Sequence, residues 1–309
     1  MKKEKKIIPF GSHEYSFLRA FLFLLIALFG GQMIGAIPAL VIKGIPAFKE
    51  GGYFFSISES CFLMLVFFFN FLIIVGLLKK MLKTNVRQII SCGKPWKSKY
   101  VAGCVIIYLL MLVPNFVMIF TSDVITYNPV ELKLRLVSVA VALLFIPFQT
   151  TVEELLFRCV IGRYFFRNRF PAPLWKVFLV CLLSGVLFFL PHLANPEIGA
   201  YGYGMALIQY FFSGFSLMAI DLLVGSYEPS VVIHALNNLC SALLFSGEVS
   251  ALNFHALFID HSESMTKDNI SLVVMYCAML LWAFLYRKKA GLGSAVESAS
   301  EENTVLSGE

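Results

Sequence analysis

Eight apolar runs, each close to the ~20 residues a helix needs to cross a bilayer, leave this chain few ways to fold. They are Phe17–Ile42, Cys61–Leu78, Val101–Thr121, Leu136–Phe166, Leu174–Leu190, Tyr203–Gly225, Pro229–Ser246 and Ser271–Tyr286. Composition agrees: 59% of the 309 residues are hydrophobic and 14% charged, where soluble domains carry about 25% charge. The expected fold is all-α, a polytopic transmembrane helix bundle of about eight spans in a lipid bilayer. The basic N-terminus precedes an apolar run too long for a signal peptide and without a clear small-residue cleavage site, so it reads as a retained first span.

The charges between the runs give an orientation. Lys2, Lys3, Lys5 and Lys6 precede the first run; Lys79 to Lys99 follow the second with no acid among them. Arg163, Arg167, Arg169 and Lys176 join the fourth and fifth, and Arg287, Lys288 and Lys289 close the eighth. With alternating crossings all four clusters share one side, which the positive-inside rule assigns to the cytoplasm together with both termini. Gly247–Ile270 is acidic by comparison and is expected outside. The net charge of +6 is therefore topological, and no nucleic-acid partner is implied. The loop Lys79–Lys99 is expected only to set topology and touch anionic headgroups. One membrane domain is expected over 1–290, its motif-bearing core at 136–246, followed by a disordered polar tail at 291–309. No fixed-period repeat, phosphate loop or C-x-x-C pair occurs, so the seven cysteines read as small core hydrophobes.

Into the fourth run the sequence sets Thr150-Thr151-Val152-Glu153-Glu154-Leu155-Leu156-Phe157-Arg158. Each ionised group at mid-membrane costs about 2.5–3.5 kcal/mol on insertion scales, so such groups are rare there and usually functional. Residues four apart share a helix face, so Glu154 can pair with Arg158. Glu153 points roughly 100° away and is free to meet another helix. Two later runs carry His192, after Pro191, and His234 with Asn238 one turn on. Taken alone, the glutamates could cap a helix, His192 could be interfacial, and His234 with Asn238 could be interhelical glue. Taken together they supply a carboxylate, two imidazoles and an amide: a water-activating base, an orienting partner and oxyanion donors. Two histidines and a glutamate are also a catalytic zinc set; without H-E-x-x-H the spacing leaves a metal open.

These residues, E-E-x-x-x-R (Glu153, Glu154, Arg158), F-x-x-x-H (Phe188, His192) and H-x-x-x-N (His234, Asn238), in that order on successive apolar helices, resemble the CPBP family of intramembrane proteases. These are the CAAX-prenyl-protease and bacteriocin-processing enzymes, also called the Abi family. The resemblance covers about Leu136 to Ser246. It implies an eight-span bundle that cleaves peptide bonds of a peptide or membrane-protein substrate within a bacterial plasma membrane. By that resemblance Glu153 activates water with help from His192, His234 and Asn238 stabilise the oxyanion, and Glu154 and Arg158 hold the geometry or meet the substrate. If zinc takes part, Glu153, His192 and His234 would hold it. One rival is a non-catalytic immunity or regulatory protein that binds a peptide or partner helix, but no motif position is lost. A transporter with a proton relay is the other, but the matching halves expected of one are missing.

Straight helices conflict with a single site. Glu153 lies roughly 20 Å from the basic end of its run and His234 only roughly 8 Å from the basic end of its own, at 1.5 Å per residue. A bend near Pro147 or Pro191, or a recessed Gly225–Pro229 turn, would close the gap. Among other polar residues, Asn70 and Gln209 are expected to hydrogen-bond between helices, Asp221 to be interfacial, and Asn237 to pack.

Overall fold

A computed structural model describes residues 16–46, 57–166 and 173–289. The N-terminal lysines, Arg167, Arg169 and the polar tail at 291–309 lie outside the described residues. In chain order the helices are α1 (Phe17–Lys43), α2 (Ser58–Met81), α3 (Val86–Ile90), α4 (Ser98–Thr121), α5 (Leu132–Phe166), α6 (Leu174–His192), α7 (Pro196–Tyr201), α8 (Tyr203–Val224), α9 (Glu228–Leu243) and α10 (Thr266–Lys289).

Among the described residues seven of these helices, all but α3, α7 and α9, are long and apolar enough to cross a membrane. The expected span Pro229–Ser246 is the exception. Its helix α9 has 16 residues, about 24 Å of rise against a hydrocarbon core of about 30 Å. The chain then leaves the helix for a strand. Three such strands, β1 (Ile125–Tyr127), β2 (Phe245–Gly247) and β3 (Phe258–Asp260), form a small sheet in the order β1-β3-β2. β1 runs antiparallel to β3 with Thr126 opposite Ile259, and β2 runs parallel to it. The sheet ties together the connections after α4 and α9 and before α10, at the end of the bundle opposite α3.

The helices leave side chains such as Phe29, Phe120, Leu144 and Leu174 outward and exposed. In lipid such a surface costs nothing, so helix association rests on packing and polar contacts rather than on apolar burial. α5 is central, packed between α2 and α9, while α8 packs on α6, α9 and α10. The α6–α8 crossing is close because both helices carry glycine there. A Cβ on Gly214 would lie 2.9 Å from the Gly185 Cα, and the Ser184 hydroxyl donates to the Gly214 carbonyl at 3.1 Å. This crossing brings the end of α6, where His192 sits, against Tyr210 of α8.

The turn from α8 to α9 is where straight-helix reasoning fails. α8 stops at Gly225, whose φ of +73° is open to glycine without strain. Ser226, Tyr227, Glu228, Pro229 and Ser230, which follow, are all buried. The Tyr227 amide donates to the Ile90 carbonyl at 2.8 Å, and the Lys97 amide donates to Glu228 Oε2 at 2.7 Å. Arg163 of α5 donates to the Gln88 carbonyl at 2.9 Å. The loop Lys79–Lys99 is therefore more than a topology signal, because it folds over the turn and supplies its backbone partners. Tyr227 packs its ring and hydroxyl on Gly162, so α9 begins a full turn inside the end of α5. Asp221, expected at an interface, is 1% exposed and accepts from the Ser230 amide at 3.2 Å, capping α9. Asn70 does not bond between helices among the described residues: both ends of its buried amide lack a hydrogen-bond partner there.

Candidate active site

α5 presents Gln149, Glu153, Glu154 and Arg158 over little more than two turns, and a π-helical turn, Leu155–Cys159, begins immediately after the glutamates. Such single-turn widenings recur at functional sites because they re-aim the side chains around them. Glu154 and Arg158 form the expected ion pair, both side chains fully buried. The guanidinium also lies 4.5 Å over the Phe188 ring, a cation–π contact.

Glu154 has a second partner, from α9. Its Oε1 meets His234 Nδ1 at 2.6 Å. A proton on Nδ1 satisfies that contact and leaves Nε2 as an acceptor, which suits the Asn238 amide 3.3 Å away. His234 Nε2 also stands 3.5 Å from Glu153 Oε2. Thus Glu153, Glu154, His234 and Asn238 meet directly, on two helices, and the recessed α9 turn accounts for their common level.

His192 joins them through Phe188. Its Nδ1 lies 2.6 Å from the Phe188 carbonyl, four residues back on α6; that contact takes the ring proton and frees Nε2. Its ring stacks on Tyr210 at 4.3 Å, and the Phe188 ring sits 4.5 Å from His192 and 5.4 Å from His234. All of this opens on one cavity of about 460 Å³ lined by Glu153, His192, His234 and Asn238, and farther out by Glu197 and Asp268 near the sheet. Apolar walls come from Leu63, Phe67, Leu112, Leu217 and Met275. Of the residues singled out in the sequence, Glu154 and Arg158 lie behind the cavity wall and the other four line it.

A metal fits less well. Among the described residues no three His, Cys, Asp or Glu side chains stand together as a ligand set. Glu153, His192 and His234 therefore do not converge as zinc ligands.

Sequence reading missed Gln149. It is 5% exposed, donates from Nε2 to Glu153 Oε1 at 2.6 Å and accepts from Asn238 Nδ2 at 3.0 Å. The available signal was an amide one helical turn before a carboxylate in an apolar run. Asn237, expected only to pack, lines the cavity and accepts from the Tyr108 hydroxyl at 3.5 Å. Gln209 also lines it, with no hydrogen-bond partner for its buried Oε1.

The fold and this cluster define a class: an integral membrane protein, mostly helical, with a glutamate–histidine–amide cluster buried in its bundle. Residues 134–240 match the family model described as type II CAAX prenyl endopeptidase Rce1-like, and every motif residue falls inside that segment. Over that segment the chain is similar to CAAX-protease-type membrane proteins. It is 27% identical over 215 residues to the uncharacterized protein YyaK of Bacillus subtilis (strain 168), covering 68% of this chain and 69% of that one. No solved structure matches the chain.

Proposed function

We propose that the chain is an intramembrane endopeptidase of the CAAX-protease type, with water activated by Glu153. The supporting observation is the convergence of α5, α6 and α9 on one cavity, where Glu153 Oε2 lies buried without a hydrogen-bond partner. A carboxylate oxygen so placed is a ready acceptor for a water proton. His192 Nε2, free once Nδ1 is bonded to Phe188, orients the same water. The water oxygen attacks the scissile carbonyl carbon as Glu153 takes its proton, and charge builds on the carbonyl oxygen. The Asn238 N–H that rests on His234 Nε2 turns to that charge as its donor, and His234 keeps Asn238 at the cavity wall until then. Glu153 then returns the proton to the departing amine as the C–N bond breaks, leaving a carboxylate and an amine. Glu154 and Arg158 hold His234 from behind. We read both termini as cytoplasmic, which the positive-inside rule favours, and the membrane as a bacterial plasma membrane by the family resemblance.

The test is cleavage of a quenched fluorescent peptide ending in a farnesylated CAAX-type tail by the full chain in liposomes. Glu153→Gln keeps the volume and removes the base, so cleavage is expected to fall below detection while thermal unfolding stays at the wild-type temperature. Cleavage is expected to survive dialysis against a chelator, because no converging ligand set among the described residues supports a zinc. Wild-type cleavage by Glu153→Gln refutes the mechanism, and a catalytically inert wild-type chain favours a peptide-binding immunity or regulatory role instead.

A further inference from the structure

Resting on the hydrolase reading above, we propose that Gln149 is a positioning residue for this reaction: it selects which oxygen of Glu153 meets the water and holds Asn238 beside the oxyanion. Both ends of its amide are in use. Nε2 donates to Glu153 Oε1 at 2.6 Å, and Oε1 accepts from Asn238 Nδ2 at 3.0 Å. That double engagement fixes the orientation of the amide. Turned over, its carbonyl would face a carboxylate and its NH₂ would face another NH₂, so two bonds would become two repulsions.

The consequence for Glu153 is an asymmetry between its two oxygens. Oε1 accepts from Gln149, while Oε2, 3.5 Å from His234 Nε2, stays without a hydrogen bond beside the cavity. Residues four apart stack along one helix face, so Gln149 also limits rotation of the Glu153 side chain without any help from substrate. The consequence for Asn238 is a polar link from α5 to α9. One N–H goes to Gln149 and the other faces His234 Nε2 at 3.3 Å. Gln149 thus joins the helix that carries the base to the helix that carries the oxyanion donor Asn238. Misplacing reacting groups by about 1 Å costs about 10²-fold in rate, and among the described residues the Gln149 amide is the hydrogen-bond partner that holds Glu153 Oε1 in place.

Three variants test this in the same farnesylated-peptide assay, with rates taken per folded molecule. Gln149→Met keeps length and removes both bonds; Gln149→Glu keeps the acceptor for Asn238 and sets a second carboxylate against Glu153. Both are expected to lower kcat about 30- to 100-fold with KM changed less than twofold. The third is the double variant Gln149→Met with Asn238→Ala, expected to be no slower than the slower of its two single variants, because both losses act through one link. A purely structural glutamine would instead lower the folded fraction, leave kcat alone and add independently to Asn238→Ala. Wild-type kcat in Gln149→Met, or full additivity in the double variant, overturns the proposal while Glu153→Gln remains dead. If Glu153→Gln cleaves normally, or the wild-type chain cleaves nothing, the hydrolase reading falls and this inference with it.

Discussion

Arg158→Met tests whether the ion pair behind the cavity is a structural requirement. Arg158 and Glu154 are both fully buried, so removing the guanidinium leaves a carboxylate with only His234 to answer it. Breaking a buried pair from one side costs about 3–5 kcal/mol, because the remaining charge stays desolvated. Two smaller effects nearly cancel. Losing the contact over Phe188 at 4.5 Å forfeits about 2 kcal/mol for a desolvated cation–π pair. Removing Arg158 Nε and Nη2, which have no hydrogen-bond partner, recovers about 1–3 kcal/mol of desolvation penalty. The net destabilisation is therefore about 3–5 kcal/mol.

The assay is thermal unfolding in detergent, followed by circular dichroism. At roughly 2–4 °C per kcal/mol, the scale of soluble chains of 150–250 residues, Arg158→Met is expected to unfold at least several degrees below the wild type. The control is Glu154→Gln with Arg158→Met. It leaves no ionised pair and keeps an acceptor for His234 Nδ1, so it is expected to recover most of the loss, since replacing a buried pair by neutral groups is often neutral or stabilising. Cleavage by the double variant then reads the pair's part in the chemistry apart from its part in folding. An Arg158→Met chain that unfolds at the wild-type temperature would refute the reasoning.

Two further perturbations address the bundle and its sheet end. In Gly103→Ala the new methyl would lie 2.3 Å from Trp282 Nε1, which donates to the Tyr100 carbonyl at 3.1 Å; α4 and α10 must part, with an expected loss of about 1–3 kcal/mol, read by unfolding temperature and a shift in tryptophan emission. Asp260 is outside the membrane spans. Burial raises its carboxyl, but hydrogen bonds from Lys267 and Ser262 outweigh that and hold it below the usual 3.8. A depressed carboxyl contributes stability above its unfolded value and loses it as pH falls through the folded one. The unfolding temperature of the wild type should therefore exceed that of Asp260→Asn at pH 6, with the gap closing below about pH 4. A gap that widens with acid would contradict the sign.

What could be read from the sequence was what local pattern carries. Apolar runs of spanning length located the long helices, and a spacing of four paired Glu154 with Arg158 and set His234 beside Asn238. The three-residue strands were invisible, since Ile125–Tyr127, Phe245–Gly247 and Phe258–Asp260 are too short for an alternating pattern. Hydropathy also could not tell lipid from protein as the apolar neighbour. Asp221 was therefore assigned to an interface, although it is buried as the cap of α9.

The misplaced depth of His234 shows most clearly how local reasoning fails here. A depth counted from the end of each residue's own helix holds only if all the helix ends lie in one plane. Within a helix the rise is fixed, but the height of a helix end is set by what satisfies its free backbone groups. For α9 those partners are protein rather than headgroups: the Ile90 carbonyl takes the Tyr227 amide and the Asp221 carboxylate takes the Ser230 amide, while the Lys97 amide holds the Glu228 side chain. Each comes from a segment distant in sequence or across the turn, and together they let α9 begin inside the bundle with its start buried. A 16-residue α9 follows from the same cause, since a helix that starts deep needs fewer residues to reach the sheet. The short span and the shared level of the two histidines are therefore one feature, and the basic loop that looked like a mere topology signal is what makes it possible.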